Sequence, residues 1–119
     1  MMKLEVLQPQ FTVYKAKELP KAQWLFVGKT DNEFSVMCET EAVPEGVVRE
    51  DGWRGLRVQG TMEFSLVGVL AHLTEVLKQA EIPVFALSTF DTDYLFVKAE
   101  RLEEACGALR RAGDVVYCF

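Results

Sequence analysis

The chain of 119 residues has few of the residues that build catalytic and metal centres. It contains one histidine, His72, and its three cysteines, Cys38, Cys106 and Cys118, form no CxxC pair. Zinc sites need closely spaced ligands, and nucleophilic catalysis needs an activated nucleophile beside a base. Neither pattern occurs, and there is no glycine-rich phosphate-binding loop. These absences predict a protein that is not an enzyme and that uses no metal and no cofactor.

Positive charge and long apolar runs are also scarce. The chain has 13 Lys and Arg against 18 Asp and Glu, which gives a net charge of −5. Nucleic acids and anionic membranes attract clustered basic residues, so neither is expected as a partner. No run approaches the roughly 18 apolar residues of a spanning helix, and the first residues lack the apolar core of a signal peptide. With an odd number of cysteines, these features predict reduced thiols and a cytoplasmic location.

Half of the residues are hydrophobic, which is enough for a packed core. Strand patterns dominate the first part of the chain, at residues 4–7, 10–16, 24–28 and 33–38, followed by an acidic irregular loop at 39–51. From residue 53 the predicted order is strand, helix, strand, strand, helix, strand. The predicted helices are 66–79, with Ser65 as N-cap, and 100–112, with Gly113 as C-cap, because their apolar residues recur every three or four positions.

This order is that of the ferredoxin-like fold. We therefore predict an α+β protein in which residues 53–119 form a ferredoxin-like βαββαβ domain. Residues 1–52 form a preceding, mostly β module, and the two are packed as one compact unit. The helices of that first module have been lost or eroded.

The turn Ser88-Thr-Phe-Asp-Thr-Asp93 places hydroxyls, carboxylates and an aromatic ring between two apolar strands. A similar turn occurs 60 positions earlier, where Asp31 matches Asp91 and Phe34 matches Tyr94. The pattern indicates a duplicated module in which the later turn holds a polar ligand. The alternative is that these Asp and Thr residues are simple turn formers.

Four segments carry a resemblance to a known family: residues 30–38, 52–60, 64–70 and, most specifically, Ile82–Tyr94. The last matches the pattern I-x-V-F-x-x-S-T-F/Y-x-T-D-Y/F. On these residues the chain resembles small bacterial proteins with tandem ACT domains, which are related to the cytosolic arginine sensors of animals. The resemblance implies that residues 1–52 are a degenerate ACT-like module and residues 53–119 an ACT domain.

The resemblance further implies a non-catalytic regulatory module that binds a free amino acid, held between the loop before the first helix (60–68) and the 88–93 turn. The ligand-contacting residues that it implies are Gly60, Glu63, Phe64, Ser65, Gly68, Ser88, Thr89, Phe90 and Asp93. In the arginine sensors the residue that matches Asp93 contacts the side chain of a basic ligand. A helix N-terminus suits a carboxylate, and an acidic side chain suits an ammonium or guanidinium group.

The alternative function is an oligomerisation or protein-interaction domain whose ligand site has decayed. Under either reading we expect a homodimer, and a regulated partner protein is compatible with the first. Some candidates also have plain structural readings: Gly68 as a helix-packing glycine, His72 as an exposed surface residue, and Cys38 and Cys106 as inert core thiols.

Overall fold

The computed structural model describes residues 2–59 and 68–118. The strands there are β1 (Lys3–Lys15), β2 (Leu25–Lys29), β3 (Phe34–Glu39), β4 (Arg49–Val58), β5 (Phe85–Ser88), β6 (Asp93–Lys98) and β7 (Val115–Cys118). The α-helices are α1 (Val69–Gln79) and α2 (Leu102–Arg111), and short 3-10 turns cover Thr40–Ala42 and Ala99–Arg101. The chain divides into two compact units, which are Met1–Gln8 with Arg54–Phe119 (unit 1) and Pro9–Trp53 (unit 2).

Unit 1 has the predicted ferredoxin-like order, with β4, α1, β5, β6, α2 and β7 following one another along the chain. Side by side in the sheet, its strands have the order β5, β6, β4, β1, β7. The start of β1 therefore lies between β4 and β7, a placement that the sequence did not predict. β1 pairs with β7 in parallel, from Lys3 opposite Val115 to Val6 opposite Cys118. Residues 4–7 and 10–16, predicted as two strands, belong to the single strand β1.

Backbone hydrogen bonds on both sides hold the start of β1. The Gln59 N–H donates to the Lys3 carbonyl at 2.8 Å on the β4 side, and the Val115 N–H donates to the Met2 carbonyl at 2.9 Å on the β7 side. Leu4 and Val6 of this segment are buried in the core of unit 1. The first residues of the chain are thus part of the ferredoxin-like unit.

The two helices cover one face of the unit 1 sheet, as the helical spacing of their apolar residues predicted. The core contains Leu4, Val6, Leu56, Val58, Leu73, Leu77, Ile82, Leu95, Val97, Ala105, Cys106, Leu109 and Val116. Phe96 points to the opposite face, since it lies between Leu95 and Val97 along β6, and it is also fully buried. Gly55 leaves room for the Phe96 ring, because a Cβ atom at position 55 would lie 2.9 Å from Phe96 Cε1.

Both helices end in the same backbone arrangement, a Schellman motif. After α2, Gly113 has φ of 97° and the Asp114 N–H donates to the Leu109 carbonyl at 3.0 Å, so the predicted C-cap glycine is confirmed. After α1 the same left-handed position is held by Glu81, with φ of 58°, and the Ile82 N–H donates to the Leu77 carbonyl at 3.0 Å. A side chain at this position is strained, because its Cβ crowds the backbone.

In unit 2 the strand neighbours are β2, β3 and the second half of β1, all antiparallel. Its core contains Tyr14, Val36 and Cys38.

The Glu39 carboxylate of unit 2 accepts hydrogen bonds from the backbone N–H groups of Gln23 and Trp24 at 2.8 and 3.0 Å. Burial by itself raises the pKa of this carboxyl, but these backbone hydrogen bonds and the Glu39 N–H outweigh it, so the pKa lies below its usual value.

The two helix ends give a matched test of backbone strain. Gly113→Ala should lower the free energy of unfolding by about 1–2 kcal/mol, because alanine must adopt a left-handed backbone conformation. Glu81→Gly should raise it, by about 0.5–1 kcal/mol once the greater freedom of glycine in the unfolded chain is subtracted. Urea denaturation of both variants measures the two changes, and equal signs would contradict the assignment.

Candidate ligand-binding site

The two hairpins of the chain share one turn geometry. In the hairpin of β5 and β6 the Thr89 N–H donates to the Thr92 carbonyl at 2.9 Å, and in that of β2 and β3 the Thr30 N–H donates to the Glu33 carbonyl at 2.8 Å. These equivalent residues, and the 3-10 turns after β3 and β6, are 59 positions apart. The expected repeat is present, but the predicted offset of 60 positions is wrong by one residue.

The corrected register changes which residues correspond at the end of each hairpin. Lys29 lies opposite Phe34 in the first, and Ser88 lies opposite Asp93 in the second. The Lys29 ammonium lies 5.1 Å from the centre of the Phe34 ring, whereas the Ser88 hydroxyl donates to Asp93 Oδ1 at 2.6 Å. Asp93 thus occupies the place of an aromatic residue. The first hairpin therefore has a cation–aromatic pair where the second has a hydroxyl–carboxylate pair.

Asp93 is a buried carboxylate, with 8% of its surface exposed. Side chains alternate along a strand, so Asp93 lies on the same sheet face as Leu95 and Val97, the face that the helices cover. An ionised carboxylate accepts about four hydrogen bonds, and the one from Ser88 leaves acceptor capacity on this group.

Thr92 fixes the turn to the end of β4. Its hydroxyl is buried and donates to the Val58 carbonyl at 2.7 Å. Val58 is the last residue of β4, and the chain continues from there into the predicted 60–68 loop. The 88–93 turn is therefore attached beside the point where that loop departs. The sequence predicted Thr92 only as a turn former, because a threonine in a turn does not indicate which distant backbone carbonyl its hydroxyl will bond.

The tip of the turn is open to solvent. Ser88, Thr89 and Phe90 are exposed, and Phe90 has 81% of its surface accessible. The Thr89 hydroxyl donates to the Thr92 carbonyl at 3.2 Å, which tightens the turn. An exposed aromatic ring thus stands close in sequence to the buried Asp93 carboxylate.

Gly68 is the residue before α1, and its carbonyl accepts from the His72 N–H at 2.8 Å. Its φ is 84°, in the left-handed region, and a Cβ there would meet nothing within 4 Å. Backbone conformation therefore requires this glycine, and the helix-packing reading is wrong. With Gly68 as its N-cap, α1 begins at Val69, so the predicted helix start at residue 66 with Ser65 as N-cap is wrong. The predicted site residues Gly60, Glu63, Phe64 and Ser65 lie outside the described residues.

Sequence reasoning missed a polar cluster around Asp114. This carboxylate is 4% exposed, and its Oδ1 accepts from the Met2 N–H at 2.9 Å while its Oδ2 lies 2.8 Å from His72 Nε2. His72 is exposed, as predicted, but it also connects α1 to the start of β7. Because 42 positions separate His72 from Asp114, no local pattern reveals the pair.

Both predicted core thiols, Cys38 and Cys106, are buried, as expected. Burial, together with the nearby Glu39, raises the pKa of Cys38 to about 11, so this thiol stays protonated at neutral pH.

In the described part of the chain, no group of three His, Cys, Asp or Glu side chains is placed to hold a metal ion. Among the helices of residues 2–59 and 68–118, none is long and apolar enough to cross a membrane.

The Thr92 anchor is open to a direct stability test. Thr92→Val should lower the free energy of unfolding by about 1–3 kcal/mol, because it leaves the buried Val58 carbonyl without that donor. Thr89→Val is the matched control on the exposed side of the same turn and should change stability by less than about 0.5 kcal/mol. Urea denaturation compares them, and equal effects would show that the buried hydrogen bond is unimportant.

Solved structures similar to this one show the same fold. A protein from Agobacterium tumefaciens superposes with a TM-score of 0.91 at 26% sequence identity, over 99% of this chain and 93% of that chain. A protein of unknown function from Vibrio cholerae gives 0.72 at 17% identity, over 92% and 88%. The ligand-free regulatory subunit of aspartate kinase from Thermus thermophilus gives 0.67 at 8% identity, over 92% and 96%.

No curated protein sequence matches the chain significantly. The ACT domain family model matches residues 48–111, which is more than half of the chain and includes α1, the β5–β6 hairpin and α2. The matched residues contain β4, α1, β5, β6 and α2, the first five elements of the ferredoxin-like order. The chain therefore belongs to the ACT domain family.

Proposed function

We propose that unit 1 is a non-catalytic regulatory module that binds a free amino acid between the 60–68 loop and the 88–93 turn. The observation that carries this proposal is the buried Asp93 carboxylate, hydrogen-bonded by Ser88 in the hairpin that follows α1 along the chain. Family membership supports the same role, and a regulatory subunit of aspartate kinase shares the fold. The module acts in the cytoplasm, as a homodimer, on a partner protein.

A zwitterionic ligand needs a cation site and an anion site close together. Asp93 is the proposed cation site, because a carboxylate forms strong charge-assisted hydrogen bonds with an ammonium or guanidinium group. The N-terminus of α1, an eleven-residue helix, is the proposed anion site, since its first backbone N–H groups lack intrahelical acceptors. Gly68 immediately precedes that helix and has no side chain to keep a ligand from the backbone.

The remaining proposed contacts lie on the two segments that flank these groups. Thr89 and Phe90 of the turn form the outer wall, with the Phe90 ring against the aliphatic part of the ligand. Gly60, Glu63, Phe64 and Ser65 of the loop complete the proposed site from the other side. Glu63 is a second acidic group for the ligand's cation, and Ser65 is a second hydroxyl for its carboxylate.

Ligand binding is tested by thermal shift of the full chain against each of the twenty amino acids at millimolar concentration. A ligand that binds the folded state raises the melting temperature, because it stabilises by RT ln(1 + [L]/Kd). Calorimetry on the best hit then gives its affinity. If none of the twenty raises the melting temperature, the proposal is wrong.

Asp93→Asn should lower the affinity for that hit about 10- to 100-fold, since a charge-assisted hydrogen bond contributes about 1.5–3 kcal/mol. Asp91→Asn is the matched control: it makes the same charge change two residues away, at an exposed position of the same turn. Ser65→Ala tests the loop side. An Asp93→Asn variant that binds as tightly as Asp91→Asn would remove Asp93 from the site.

One observation favours the alternative, an interaction domain. β2 is the end strand of unit 2 and exposes Leu25 and Val27, at 39% and 46% of their surface. A strand at the end of a sheet with exposed apolar side chains favours pairing with another chain. On this alternative the chain forms a dimer through β2 and binds no amino acid.

Light scattering of the full chain with and without amino acids separates the two functions. A dimer through β2 should dissociate in Val27→Lys, because the substitution places a charge on the pairing strand. Val48→Lys is the control, since Val48 is 71% exposed but lies outside β2. Equal dimer stability in both variants would exclude a β2 interface.

A further inference from the structure

Two cysteines that lie apart in sequence come together in unit 1. Cys106 is on α2, and Cys118 is the last residue of β7. The two thiols are close enough for Cys118 to contribute to raising the pKa of Cys106. Val116 is buried in the core beneath the helices, so Cys118, two residues later, lies on the same face of β7 and meets α2.

Arg110 holds the two elements in this arrangement. It lies one helical turn after Cys106 on α2, and its guanidinium donates to the Val116 carbonyl at 2.9 Å and to Cys118 Sγ at 3.8 Å. One guanidinium nitrogen of Arg110 thus contacts both the backbone and the Cys118 sulfur at the end of β7. Disulfide formation brings two sulfurs to about 2.0 Å, and the contact with Arg110 keeps Cys118 beside the helix that carries Cys106.

The two thiols differ in access. Cys118 is exposed, whereas Cys106 is 4% exposed. Burial raises the pKa of the Cys106 thiol, and the neighbouring Cys118 raises it further. An oxidant from solvent thus reaches Cys118 first, and Cys106 is placed to attack it second.

We propose that Cys106 and Cys118 are an oxidative modification site, at which hydrogen peroxide converts the two thiols into a reversible disulfide. The peroxide oxidises the Cys118 sulfur to a sulfenic acid and releases one water. The Cys106 sulfur then attacks the Cys118 sulfur and displaces a second water, so two thiols and one peroxide yield one disulfide and two waters. A dithiol reductant reverses the step. The disulfide ties α2 to the strand that pairs with β1 at Val6.

Tryptic cleavage provides a direct test, because Arg110 and Arg111 lie between the two cysteines. The full chain is treated with hydrogen peroxide, its remaining thiols are alkylated and it is digested. The expected result is an intact mass lower by two hydrogens before alkylation and a linked pair of peptides, residues 102–110 and 112–119, that dithiothreitol separates. A dimer linked through Cys118, or Cys118 oxidised to sulfinic acid beside a reduced Cys106, would overturn the proposal.

The third cysteine gives the matched control. Cys38→Ser should form the disulfide as the wild type does, since Cys38 is buried in unit 2, and Cys118→Ser should not form it. The oxidised wild-type chain should melt at a higher temperature than the reduced one, and Cys118→Ser should lose this difference. A difference that persists in Cys118→Ser would also overturn the proposal. The test is independent of amino-acid binding, because it needs no ligand.

Discussion

The start of β1 is the constraint on which unit 1 depends. Its backbone groups bond to β4 on one side and to β7 on the other, and Leu4 and Val6 enter the core between them. Without this segment the facing backbone groups of β4 and β7 would lose their partners, which a folded protein rarely tolerates. The ferredoxin-like unit is therefore built from two separated stretches of chain. The strand segment Lys3–Val6 that pairs with β7 lies more than forty positions before the residues that match the ACT domain model.

This insertion also explains two polar features of the same region. The Met2 N–H reaches the buried Asp114 carboxylate because the first residues run alongside β7, and the second oxygen of Asp114 then meets His72 of α1. A buried carboxylate is costly unless hydrogen-bonded, and these two partners provide the bonds. The parallel pairing that begins at Lys3 ends at Cys118, which places the last cysteine on the sheet beside α2.

Local features of the fold were predictable from the sequence, and non-local ones were not. The apolar spacing of α1 and α2 and the C-cap Gly113 depend on neighbours within a few residues, and the structure confirms them. The partner of β1 depends on a strand more than a hundred positions away, and alternating apolar residues do not specify a partner. The resemblance to the ACT family supplied what periodicity could not, namely the expected position of a site.

The repeat shows both the value and the limit of matching residues by identity. Pairing Asp31 with Asp91 gave an offset of 60, whereas the turn hydrogen bonds give 59. The structure follows the backbone, because a two-strand hairpin is closed by its hydrogen-bond register and not by the identity of the side chains at its tip. That one-residue difference moves Asp93 from the position of Glu33 to that of Phe34. Whether residues 1–52 are a degenerate ACT module stays a prediction.

The corrected register bears on what the second hairpin can bind. The second hairpin has a buried carboxylate where the first has an aromatic ring, and burying a carboxylate costs hydration energy. The hydrogen bond from the neutral Ser88 hydroxyl offsets only part of that cost. A cationic group would offset more of it, so the arrangement favours a positively charged ligand group over a neutral one. The Thr92 bond to Val58 holds the turn in place before any ligand arrives, which reduces the ordering cost of binding. The first hairpin has Phe34 at the same place and lacks this charge. This difference between the two hairpins is the physical reason why we propose the amino-acid site on the second.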